Sequence, residues 1–161
     1  MSENAFKYSI LASGSTGNSF YVETPQKRFL IDAGLTGKKI TSLLAEIDRK
    51  PEDLDAIFIT HEHSDHIKGV GVLARRYNLD VYANEKTWQM IDERNMIGKL
   101  DFAQKHIFER GKTLTLGDID IESFGVSHDA VEPQFYRLMK DNKSFVILTD
   151  TGYVSDRMAG I

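Results

Sequence analysis

Cysteine is absent from the 161 residues, so no disulfide braces the chain and no thiolate can hold a metal. Any metal site must therefore be built from histidine and carboxylate. A run of about eighteen apolar residues is lacking too, as is a basic-then-apolar N-terminus with a cleavage site, so the expectation is a cytoplasmic protein with no membrane span. Positive charge is not in excess: 20 Lys and Arg face 24 Asp and Glu, a formal net charge of −4. This excludes a chain that is basic all over but leaves room for a local basic patch or a metal centre that meets phosphate. Internal repeats, low-complexity tracts and linkers are also missing. With 41% hydrophobic and 27% charged residues, the composition is that of one globular domain with a core.

Histidine is scarce as well, five in all, yet three fall within six positions of His61-Glu62-His63-Ser64-Asp65-His66. This run follows the apolar stretch Ala56 to Thr60, which reads as a buried strand. In extended chain the side chains alternate, so His61, His63 and Asp65 share a face and the next turn brings His66 beside them. Neutral imidazole and carboxylate converging in this way suit zinc and related divalent ions. Glu62 alternates away from them, as a surface or hydrogen-bonding group rather than a base. His61 and His63 need further donors, and His128 in Val126-Ser127-His128-Asp129 and Asp150 in Leu148-Thr149-Asp150-Thr151-Gly152 stand at strand ends where they could supply them. His106 lies inside a strand and reads as structural.

Around this cluster the first two thirds of the chain alternates strand and helix, an α/β pattern. Phe6–Ala12, Ser19–Glu23, Phe29–Ile31 and Asp80–Ala83 read as strands. Helices are expected from a Thr36 cap to Ile47, from Ile67 to Tyr77 and from Glu85 to Arg94. Arg75 and Arg76 fall on a solvated face. The link Ser13-Gly14-Ser15-Thr16-Gly17-Asn18 is a glycine-rich loop, whose backbone freedom serves a hairpin or lets amides and hydroxyls approach an anionic group. Asp32, at a strand end before Ala33-Gly34, is either a turn former or a carboxylate that steadies the ligand loop. Short strands at 105–109, 113–116 and 119–124 suit an antiparallel meander, and 134–140 with 144–149 a hairpin across Asp141-Asn142. Ser155 opens what reads as a helix.

Asp32, His61-Glu62-His63-Ser64-Asp65-His66, His128 and Asp150 resemble, in order, four of the five motifs of the metallo-β-lactamase fold superfamily. Within it, Ala12 to Ser19 and Ser127-His128-Asp129-Ala130 resemble the YycJ/WalJ-like hydrolases, a group linked to DNA exonuclease activity. The resemblance implies a four-layer αβ/βα sandwich with two divalent metals at the edge between the sheets. On that fold residues 1–161 make an incomplete domain, holding the first half and part of the second sheet, and the family's last ligand histidine falls beyond Ile161. It also implies a ligand set: His61, His63 and His128 on one metal, Asp65 and His66 on the other, Asp150 between them and Asp32 in support. Zinc is the first expectation and manganese the alternative.

The chemistry so implied is hydrolysis by a metal-bridging hydroxide, with DNA as substrate, Asp65 as the orienting proton acceptor and the Ser13–Asn18 loop near the phosphate. Asp150 favours this, because an oxygen donor bridges hard cations whereas lactam-cleaving relatives commonly carry cysteine there. Thioester hydrolysis of the glyoxalase type uses much the same ligands. A di-iron redox centre fits less well, since such sites favour carboxylate where His63 stands. A different class again is an inactive fragment that self-associates through an uncovered apolar sheet face.

Overall fold

Two faces of one sheet are spoken for in the strand sequences themselves. In Ser19–Glu23 (β2), Phe20 and Val22 belong to one buried cluster and Tyr21 to another. Arg28–Ile31 (β3) divides likewise, Phe29 and Ile31 against Leu30, and so does Ala56–Phe58 (β4), Ala56 and Phe58 against Ile57. A strand apolar on both sides must be covered on both sides. The computed structural model describes residues 7–125, 134–148 and 153–158, Leu148 and 153–158 by backbone alone. It supplies helices on one face and a second sheet on the other.

The first sheet has the order β1-β2-β3-β4-β5-β6, with β1 at Lys7–Ala12, β5 at Asp80–Ala83 and β6 at Lys105–Ile107. β1, β2 and β3 pair antiparallel, while β3 to β6 run parallel. The parallel pairs need crossovers, and Gly37–Glu46 (α1), Val70–Tyr77 (α3) and Glu85–Glu93 (α4) provide them. Thr36 caps α1 as expected, its hydroxyl accepting from the Lys39 amide at 3.1 Å. Ile40 and Leu44 of α1, Leu73 of α3 and Trp88 and Ile91 of α4 pack with Leu30, Ile57 and Val81 of the sheet in one core.

The second sheet is antiparallel, ordered β11-β10-β9-β8-β7: Thr113–Leu116 (β7), Ile119–Phe124 (β8), Phe135–Lys140 (β9), Lys143–Leu148 (β10) and Tyr153–Met158 (β11). Asp141 and Asn142 turn β9 into β10 with φ of 53° and 68°, the left-handed pair a tight hairpin needs. Between the sheets lies an aromatic core in which Phe58 stacks on Tyr82 at 4.7 Å and meets Phe29, Phe108 and Tyr136 edge-on.

Three expectations are corrected. The strand expected at 105–109 does not open the antiparallel meander but, as β6, joins the edge of the first sheet parallel to β5. The helix expected from Ser155 is instead strand β11, paired over six residues with β10 from Lys143↔Met158 to Leu148↔Tyr153. The edge of β10 offers the segment a complete ladder, which outweighs its local preference. The single helix over Ile67–Tyr77 is two, Ser64–Ile67 (α2) and α3, broken at Lys68-Gly69. Gly69 leaves the helical path because its amide donates to Ala33 O at 2.7 Å, an approach so close that a Cβ there would stand 2.3 Å from Leu35 O. His106 is structural as expected, stacked on Tyr82 and 3.1 Å from Asp80 Oδ1. Among the described residues no helix is long and apolar enough to cross a membrane.

One hydrogen bond links the sheets directly behind the histidine run. Tyr136 is fully buried, and its hydroxyl donates to Ile59 O at 2.6 Å while accepting from Gln134 Nε2 at 3.1 Å. Burial, and secondarily the charge of Asp32, pushes this phenol well above its ordinary pKa, so it stays a donor. Tyr136→Phe removes the donor and orphans a buried carbonyl; the expected loss is about 1–3 kcal/mol in urea unfolding. An unchanged midpoint would mean that Ile59 O finds another partner.

Candidate metal centre

The site is built where β3 and β4 end side by side. Asp32 follows β3 with φ 63°, a left-handed turn that short polar residues tolerate, and its amide donates to Phe58 O at 2.7 Å. The carboxylate so placed is wholly buried and heavily used. Oδ1 accepts from the Thr60 amide at 2.8 Å, and Oδ2 accepts from Thr60 Oγ1 and from His66 Nδ1, both at 2.6 Å.

These bonds fix the protons on two imidazoles. An ionised carboxylate only accepts, so His66 must carry its proton on Nδ1. Thr60 gives its one hydroxyl proton to Asp32, so in its 2.9 Å bond with His61 Nδ1 the hydroxyl accepts and His61 also holds its proton on Nδ1. Both imidazoles are thus oriented through Nδ1. The two rings lie with centroids 3.8 Å apart, and His66 Nε2 is 3.5 Å from Asp65 Oδ2. Asn18 Nδ2 lies near both atoms, 3.2 Å from Asp65 Oδ2 and 3.5 Å from His66 Nε2, and an imidazole oriented through its other nitrogen is the form that ligates a metal. The donor set fits a divalent metal.

Asp65 and His66 sit on the one-turn helix α2. Asp65 is held from the other side by Asn18, which is only 3% exposed. Asn18 Nδ2 donates to Asp65 O and Oδ2, both at 3.2 Å, and its backbone amide donates to Asp65 O at 2.8 Å. The loop expected to face substrate is thus partly spent on itself: Gly14 N donates to Asn18 Oδ1, Gly17 N to Gly14 O, and the Asn18 side chain points to the ligands. Ser13, Gly14, Ser15 and Thr16 are its exposed part. Glu62, expected as a surface or hydrogen-bonding group, is buried with Oε2 3.7 Å from His63 Nε2.

His63 itself is 65% exposed by side chain and stands 4.8 Å from the His61 ring. Among the described residues no three His, Asp or Glu side chains close around a common point; His128 and Asp150 lie outside those residues. Thr60 and Gly34 carried no motif signal in the sequence. Thr60 ties Asp32 to both histidines, and Gly34 lets three loops meet.

A model of the beta-lactamase superfamily domain matches residues 27–160. The chain belongs to that superfamily. Its fold is shared with solved structures, among them the metallo-beta-lactamase fold protein YhfI from Bacillus subtilis, with a TM-score of 0.68 at 18% identity over 88% of this chain and 61% of that one. Among curated relatives, exodeoxyribonuclease WalJ of Streptococcus pneumoniae serotype 2 is 78% identical across all 161 residues, and exodeoxyribonuclease YycJ of Bacillus anthracis is 54% identical over 154 residues, 96% of the chain. The chain spans 60% and 58% of the length of these two relatives.

Proposed function

We propose that this chain carries the metal-binding part of a phosphodiester hydrolase that acts on DNA ends. The observation that supports it most is the proton order set by Asp32, which turns two buried imidazoles into ligands beside Asp65, in a chain 78% identical to a protein named an exodeoxyribonuclease. His61, His63 and His128 would hold one divalent ion, Asp65 and His66 a second, with Asp150 shared; zinc suits the nitrogen-rich set and manganese is the alternative. Bound there, the ions supply Lewis acidity to a phosphate ester and its attacking water.

The chain's own groups do the remainder. Asp32 aims His66 directly and His61 through Thr60. Asn18 fixes Asp65, whose partly exposed Oδ2 takes the proton of the attacking water. The outer residues of the loop, Ser13 to Thr16, meet the phosphate.

Metal content of the purified protein, followed by assay on 5′-phosphorylated duplex DNA and on a thioester, tests this. The expected result is divalent metal bound, release of nucleotides from the duplex and no thioester cleavage, with nucleotide release abolished in His63→Ala. Thioester cleavage alone, or equal nuclease activity in the variant, would sink it.

A further inference from the structure

The chain is acidic overall, yet one groove on its helical face is not. α1 and α3 enclose about 430 Å³ lined by Lys38 and Thr41 from the first and Val72, Arg76 and Tyr77 from the second, and no lining residue is acidic. Glu46, in the last turn of α1, is the only acid on either helix. Lys38 and Arg76 are exposed, as is Lys68 between the site and α3. Some cations elsewhere are neutralised locally: Arg49 by Glu23, Lys105 by Asp92, Arg137 by Glu122. Lys38, Lys68 and Arg76 have no ion-pair partner among the described residues. Arg76 instead lies 5.6 Å over the ring of Tyr77.

Both helices that line the groove start close to the site in the chain. α1 starts three residues after Gly34, and α3 starts four residues after His66. Ala33 N bonds His66 O, Gly69 N bonds Ala33 O, and a Cβ on Gly37 would meet Val72 at 3.1 Å. Lys68 follows His66 by two residues, and Lys38 and Arg76 line the groove with no carboxylate among its lining residues to repel a polyanion.

We propose that the α1–α3 groove is a track for the sugar-phosphate backbone of DNA outside the reaction centre, with Lys38 and Arg76 each contacting a phosphate and the Tyr77 side adding an apolar wall. This rests on the reading of the site as a DNA-end hydrolase. Contacts to phosphate position a strand without reading its sequence, and each one contributes to the salt dependence of binding.

The test is fluorescence anisotropy of the protein with a labelled, 5′-phosphorylated duplex across a salt series, beside hydrolysis of bis(p-nitrophenyl) phosphate, which has no flanking phosphates. Three proteins are compared: wild type, Lys38→Gln/Arg76→Gln, and the charge-keeping Lys38→Arg/Arg76→Lys. The double Gln variant should bind about tenfold more weakly, with a log–log salt slope shallower by about 2. The charge-keeping variant should match wild type, and the small ester should be cleaved equally by all three. Equal affinity and slope in wild type and the Gln variant would overturn the track, as would equal weakening in both variants or no DNA binding by wild type. Absence of ester cleavage by wild type would overturn the hydrolase reading instead, and the binding comparison would still decide the groove.

Discussion

Asp32→Asn weakens divalent metal binding by about 10- to 100-fold while leaving the fold standing. The variant is informative because asparagine keeps the size of the side chain and tolerates the φ of 63° at this position, so the backbone is not at issue. What changes is the direction of the protons. Oδ1 can still accept from the Thr60 amide, but an NH2 now stands where Oδ2 accepted from Thr60 Oγ1 and His66 Nδ1. To meet that donor, His66 must give up its Nδ1 proton and carry it on Nε2, the atom 3.5 Å from Asp65 Oδ2. The lone pair that would face a cation is lost. Stability falls by about 1–3 kcal/mol for a strained buried network, too little to unfold an ordinary domain. Equilibrium dialysis against zinc and manganese reads the affinity, and nitrogen NMR of the imidazoles reads the tautomer. Wild-type metal affinity together with an Nδ1-protonated His66 would show that Asp32 does not set the proton order.

The candidate run was visible in the sequence because it is local, but the extended alternation expected of it is not what places it: β4 ends at Phe58, and Asp65 and His66 lie on α2. His61, His63, Asp65 and His66 announce themselves by spacing, and the apolar stretch before them marks the strand that delivers them. Asp32 could be singled out by its place at a strand end, though only as one of two alternatives. Its partnership with Thr60 spans 28 positions and arises because β3 and β4 run parallel and in register, Ile31 beside Phe58. Periodicity carries no trace of such a contact. The same holds for Asn18, whose composition suggested a loop open to anions and whose side chain is turned inward by a pairing 47 positions away. Strand β11 was missed for a related reason: its conformation is decided by the free edge of β10, not by the short segment itself. Local chemistry could be read; non-local hydrogen bonding could not.

Gly34 shows how tightly that non-local assembly is drawn, and Gly34→Ala is expected to be the most destabilising glycine-to-alanine change among the described residues. The Gly34 amide donates to Asn18 O, and the Asn18 amide donates to Asp65 O, both at 2.8 Å, so three loops meet through their backbones at this point. An added Cβ would lie 1.7 Å from Asp65 O and 2.8 Å from Asn18 N. Neither atom is the end of a flexible side chain, so relief requires moving the loop that carries the ligands or the one that carries Asn18. Filling a well-packed interior costs about 1–3 kcal/mol when side chains can yield, and here only backbone can, which places the expected loss above that range. Gly14→Ala is the matching control. Its Cβ would meet nothing within 4 Å, and its cost comes from φ 147° alone, about 1–3 kcal/mol. Urea unfolding of both variants separates steric from conformational cost, and metal binding by Gly34→Ala reports whether the Asn18–Asp65 link has opened. Equal midpoints for the two variants would contradict the close approach of the three loops, and with it the view that Asn18 holds Asp65 in place.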